Sequence, residues 1–165
     1  MSPQQTRGKG QSENRAIETD TQAGCRVASE IWGAGMKALS IKQPWAHLII
    51  HGFEGRYKTI ETRVWQTHYR GPLLIVSSKL PVARPWQPGA RAEEMEFGKA
   101  IGIAEMVDCR PMTRADETAA MCGVYPDAWS WVFETPRAID PFAVSGRLRL
   151  YEVDYEIDQQ LTAKD

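Results

Sequence analysis

The sequence predicts an α+β domain built as a small β-barrel of about six short strands, with two or three short helices at its openings. Three observations carry this. Short runs rich in β-branched and aromatic side chains recur from Met36 onward. Glycines and prolines separate them at close intervals. Helical periodicity is brief, clearest where Trp45, Leu48 and Ile49 recur at i, i+3 and i+4.

Residues 1–35 are rich in Gln, Ser, Thr, Gly and charge, and read as a disordered tail. Val27, Ile31 and Trp32 fall roughly on one face there and allow a short helix over 25–32. The change of texture at Met36 fits either a natural start at that methionine or an ordinary flexible arm. Residues 36–158 are expected to form the domain and 159–165 a C-terminal tail. Residues 38–41 read as a strand stopped by Pro44, which suits the first turn of a helix. Gly52 closes that helix as C′. Residues 59–65 alternate and form a strand. Arg70, Gly71 and Pro72 turn the chain into 73–78, a continuous apolar run typical of a buried strand. Residues 81–89 make a proline-rich loop and 90–97 a short helix covering the barrel. Residues 100–108 form the next strand, and Thr113 can N-cap a helical stretch towards Met121. Residues 128–133 and 146–153 complete the strands. Trp129 and Trp131 share strand parity, so they pack on one sheet face.

The length of 165 residues fits one domain with a real core. No apolar run approaches the roughly 18 residues of a membrane span, and the N-terminus lacks the apolar segment of a secretory signal. Cys25, Cys109 and Cys122 form no CxxC and are odd in number. That argues against a disulfide framework or structural zinc and fits a reducing cytoplasm. The net charge of −1 hides an asymmetry. Residues 37–91 hold nine Lys/Arg and two Asp/Glu, whereas 92–165 hold seven and fifteen. Such a split can lay a basic face on a neutral protein, and nucleic acid is the usual partner of such a face. Intermixing of the charges on folding is the competing outcome.

Three motifs in order, 39–46 (LSIKQPWA), 58–65 (KTIETRVW) and 69–75 (YRGPLLI) followed by Ser77-Ser78-Lys79, closely resemble the ASCH domain family, related in fold to the RNA-binding PUA domain. The resemblance is anchored over about residues 38–79 and continues less distinctly to about 153. It implies a PUA-like barrel with a groove between the first helix and the barrel that takes RNA or a nucleotide. Some members look like amidohydrolases on acylated cytidine or like ribonucleases. The family places its lysine about two residues after the helix-ending glycine, whereas residues 53–57 intervene here before Lys58. In amidohydrolase-like members a threonine nucleophile stands three residues after that lysine. Glu61 holds that position here, flanked by Thr59 and Thr62 without a match.

Lys42, Lys58, Arg63, Arg70 and Lys79 suit a phosphate-contacting surface, because they supply the charge and donors that phosphate oxygens need. Trp45, Trp65 and Tyr69 are interleaved with them and offer faces for unpaired bases. Helical periodicity assigns Trp45 to the core first. Glu61 and Arg63 share strand parity, placed either to pair with each other or to read a base edge jointly. As catalytic candidates, Glu61 can activate water while Lys58 stabilises developing charge. Lys58, Tyr69 and Ser77 are the groups a ribonuclease could use. His47 and His51 have metal-ligand spacing but no glutamate between them, so neither a metal nor a cofactor is expected. The resulting expectation is a cytoplasmic RNA- or modified-nucleoside-binding module, with a basic groove lined by Lys42, Lys58, Glu61, Arg63, Trp65, Tyr69, Arg70, Ser77 and Lys79. A small hydrolase in that groove and a protein-interaction module are the alternatives.

Overall fold

In the computed structural model, residues 35–82 and 92–155 are described. The expectations at 1–34, 83–91 and 156–165, including the helix at 25–32, lie outside them. Strands β1 (Met36–Ile41), β2 (Ile60–Arg63), β3 (Gly71–Ser77), β4 (Lys99–Pro111), β5 (Trp129–Ala143) and β6 (Leu150–Val153) form one sheet in the order β2-β5-β4-β3-β1-β6. Strand β1 runs parallel to β3, and the other pairs are antiparallel. Helix α1 (Trp45–Ile50) follows β1, and a 3₁₀ turn (Arg114–Asp116) leads into α2 (Glu117–Ala120) between β4 and β5.

The alternation of side chains along a strand explains why β3 is apolar throughout. Leu73 and Ile75 pack with Leu39, Ile41, Ile49 and Trp131 in one cluster, whereas Leu74 and Val76 pack with Ala38, Ile103 and Tyr151 in another. Both faces of β3 are therefore buried. Helix α1 stops at Gly52, whose φ of 66° is the left-handed cap conformation. The extra residues after it close on themselves. Phe53 N–H donates to the Arg56 carbonyl at 2.8 Å, and Arg56 N–H donates back at 2.9 Å. The chain then returns to α1, with Lys58 N–H donating to the Leu48 carbonyl at 3.0 Å.

Several element boundaries differ from those the pattern suggests. Strand β5 continues to Ala143 through Pro136 and Pro141. Strand β2 covers β5 only at residues 129–132, so beyond that β5 pairs with β4 alone, and its other edge tolerates proline. Residues 146–149 are loop, because β6 begins at Leu150 and Arg149 has a φ of 59°. Among the described residues of the expected helix at 90–97 there is only a 3₁₀ turn, Ala92–Glu94.

Below β4, Asp116 ties the α2 turn to the sheet. Its carboxylate accepts from both Arg110 Nη atoms at 2.7 and 2.8 Å, from Thr113 N–H at 2.9 Å and from the Ser130 hydroxyl at 3.1 Å. The Arg110 guanidinium holds the Asp116 carboxyl well below the usual carboxylate range.

Candidate nucleic-acid interface

Edge strands β2 and β6 do not pair with each other, and a groove of about 730 Å³ opens beside that seam. Strand β1 contributes Leu39 and Ser40 to its wall, β2 contributes Glu61 and Arg63, and β3 ends there at Ser77. Loops add Lys42 and Trp45 from the start of α1, residues 78–80 after β3, and residues 144–149 before β6. Five cationic side chains (Lys42, Arg63, Lys79, Arg147 and Arg149) thus share this wall with one carboxylate, Glu61.

The centre of the wall is a row of alternating charge. Arg63 Nη2 donates to the Ser40 carbonyl at 2.8 Å and lies 3.3 Å from Glu61 Oε1. Glu61 Oε2 lies 3.6 Å from Lys58 Nζ. Glu61 and Arg63 share parity on β2, so they fall on the same side of the strand, as alternation requires. Arg63 Nε is buried and has no hydrogen-bond partner among the described residues. An unmet buried donor is costly, and a ligand acceptor would relieve it.

Lys58 stands behind this row and does not line the groove. It is 3% exposed, and its ammonium donates to the Ile60 carbonyl at 2.6 Å and to the Ala120 carbonyl. It also lies 5.3 Å from the Trp45 ring centroid. Burial pushes its pKa below the usual lysine range, with Glu61 opposing that shift. The lysine therefore ties β2 to the end of α2.

The remaining candidates divide. Lys42 and Lys79 are on the groove wall. Ser77 is there too, but it is fully buried, and its hydroxyl bridges the Lys99 carbonyl and N–H at 3.1 and 3.2 Å. Trp65 packs edge-to-face on Trp131, with centroids 4.5 Å apart, and reaches the groove through Arg149, whose guanidinium sits 5.2 Å over its ring. Tyr69 and Arg70 lie outside the groove wall. The Tyr69 hydroxyl donates to the Pro72 carbonyl, and Arg70 pairs with Asp108 at 3.3 Å. Strand β2 ends at Arg63, and the chain then crosses to β3, so the motif's continuity in sequence is not continuity in space. His47 and His51 stack with ring centroids 4.7 Å apart, and no group of three metal-ligating side chains occurs among the described residues.

Arg147, Arg149 and Ser40 escaped the sequence reading. The two arginines lie in the acidic part of the chain and look like alternate positions of a strand. The Arg-Leu-Arg run after Gly146, basic within an acidic stretch, was the signal available. Gly146 also has a spatial role. A Cβ there would stand 2.8 Å from Ser40 Oγ, so only glycine lets this loop lie on β1 without displacement.

The fold defines an α+β domain with one six-stranded mixed sheet, and the comparison with known proteins makes the class specific. Residues 39–143 match the ASCH domain, and the chain belongs to that family. Activating signal cointegrator 1 from Homo sapiens is 24% identical over 136 residues, and the Mus musculus protein is 26% identical over 137. Each match covers 73% of this chain but only 23% of the relative, so the chain spans about a quarter of the length of these proteins. No helix among the described residues is long and apolar enough to cross a membrane.

Proposed function

We propose that the groove binds RNA, seating one nucleotide of the strand between β2 and the loop that precedes β6. The observation that carries this reading is the convergence of five cations and one carboxylate on a cavity of nucleotide size. Its volume of about 730 Å³ falls within the usual range for small-molecule sites, about 300–1,000 Å³. In this reading Lys42, Lys79, Arg147 and Arg149 neutralise phosphates. Glu61 accepts from an exocyclic amine, Arg63 Nε donates to a ring acceptor, and the half-buried Trp45 offers a face to the base. A free modified nucleoside with a cytosine-like edge would meet the same Glu61–Arg63 pair.

The test is fluorescence anisotropy with a short single-stranded RNA over a salt series. Affinity should fall with salt by about −0.7 in log–log slope for each phosphate contact. Arg147→Glu with Arg149→Glu should flatten the slope, while Arg70→Glu, outside the groove, should leave it unchanged. Equal losses from Arg70→Glu, or equal binding to heparin, would reduce the groove to non-specific electrostatics.

A further inference from the structure

The loop at residues 146–149 holds an apolar side chain out into water beside the groove. Leu148 is 93% exposed, and across the groove wall Leu80 is 73% exposed. Single exposed leucines need no explanation in general. This one is unusual in how firmly it is presented. Gly146 lies against Ser40, whose Oγ is in turn 2.8 Å from the Tyr151 hydroxyl just beyond the loop. On the other side Arg149 adopts a φ of 59°, uncommon for a residue with a side chain, and rests on the Trp65 ring. The loop thus rests on Ser40 before its tip and on Trp65 after it, with its leucine exposed to solvent between two arginines.

We propose that Leu148 is a wedge that inserts into a base stack, so that the preferred substrate of the groove is RNA in which one nucleotide leaves a helix, as at a bulge, and not an extended single strand. The inference rests on the RNA-binding reading above and deepens it. Base faces are apolar, so a leucine can take the stacking place vacated by an extruded base, and apolar wedges in nucleic-acid-binding proteins act in this way. Extrusion costs a few kcal/mol, least where pairing is already broken, which favours a bulge over a perfect duplex. The arginines on either side neutralise the phosphates that flank the opened step. The groove next to Leu148 then receives the nucleotide, against Glu61 and Arg63.

Three RNAs of equal length test this: an unstructured strand, a perfect hairpin, and a hairpin with a one-nucleotide bulge and 2-aminopurine beside it. The wild-type chain should bind the bulged hairpin about tenfold more tightly than either other probe, a difference of about 1.4 kcal/mol. Its 2-aminopurine emission should rise on binding. Leu148→Ala should erase the preference and the emission change, yet keep the salt slope and the thermal midpoint. Leu148→Met should retain both signals, since the wedge needs an apolar side chain of similar reach. If wild type shows no preference for the bulge, or Leu148→Ala binds it as wild type does, the wedge is refuted while RNA binding stands. Failure to bind any of the three RNAs would overturn the wedge together with the reading beneath it.

Discussion

Arg63 on β2 donates to the Ser40 carbonyl on β1 at 2.8 Å, and that bond spans the place where the sheet does not close on itself. Strand β6 pairs with β1 only from Met36 to Leu39, so at Ser40 the outer edge of β1 is left without its neighbour. Arginine is suited to this place because its planar fork can meet a backbone carbonyl and a carboxylate together while a third N–H stays directed elsewhere. The same side chain links β2 to β1 across that gap, lines the groove and keeps a buried Nε without a partner among the described residues.

Arg63→Lys separates these roles. A lysine keeps the charge but is a single donor head that cannot serve Ser40, Glu61 and a ligand at once. Affinity for RNA should fall about 10- to 100-fold, in keeping with the loss of one hydrogen bond to a charged group, roughly 1.5–3 kcal/mol. The salt slope should stay the same, because no charge is removed. A variant that lost slope as well as affinity would show Arg63 acting as a simple phosphate contact.

Gly146→Ala tests the seating of the loop. The added Cβ would meet Ser40 Oγ at 2.8 Å, so either the serine or the loop must move. RNA affinity should fall several-fold, with a change of only a few degrees in thermal midpoint, corresponding to about 1 kcal/mol. A crystal structure of the variant with Arg147 and Arg149 unmoved would contradict this account.

What could be read in the sequence was whatever depends on local periodicity. The buried run at 73–76, the α1 stripe and the common face of Glu61 and Arg63 all follow from spacings of two or of three and four residues. What escaped depends on contacts between distant segments. Arg147 and Arg149 share the groove wall with Arg63 because β6 lies beside β1, a pairing that the spacing of the two segments does not encode. Tyr69 and Arg70 looked contiguous with the site until the chain turned away after Arg63. The long β5 was obscured by its prolines, which are harmless only because β2 is too short to cover that edge.

Acid should weaken the fold before carboxylates titrate. Burial, together with repulsion from His51, holds the pKa of His47 below its ordinary value, while Glu94 opposes the shift. Between the folded pKa and the unfolded value of about 6.5, the unfolded chain binds more protons than the folded one. Stability therefore declines as pH drops through and below about 6.5. Thermal midpoints measured from pH 7.5 to 5 should fall in wild type, and His47→Gln should flatten that part of the profile. An unchanged profile in the variant would assign the acid sensitivity to other groups.

Lys58 decides between a structural tether and a participant in hydrolysis. Its ammonium is engaged with the Ile60 and Ala120 carbonyls, lies behind Glu61 and is almost fully shielded from solvent. A group so placed has no free donor aimed at a reacting oxygen, which is what stabilising an oxyanion requires. Lys58→Met keeps the apolar stem but leaves two carbonyls and Glu61 without their cation. That should cost about 2–3 kcal/mol of stability, or roughly 5–10 °C in thermal midpoint. Below the melting range, RNA affinity should change by less than threefold, because Lys58 does not line the groove. Product formation from an acylated cytidine is the parallel measurement, and none is expected from the wild-type chain. Turnover by wild type that Lys58→Met reduces about 10² to 10³-fold, with the fold intact, would instead make the lysine an electrostatic catalyst. A wild type that turns over substrate equally well without Lys58 would place the chemistry on Glu61 or on another group of the groove.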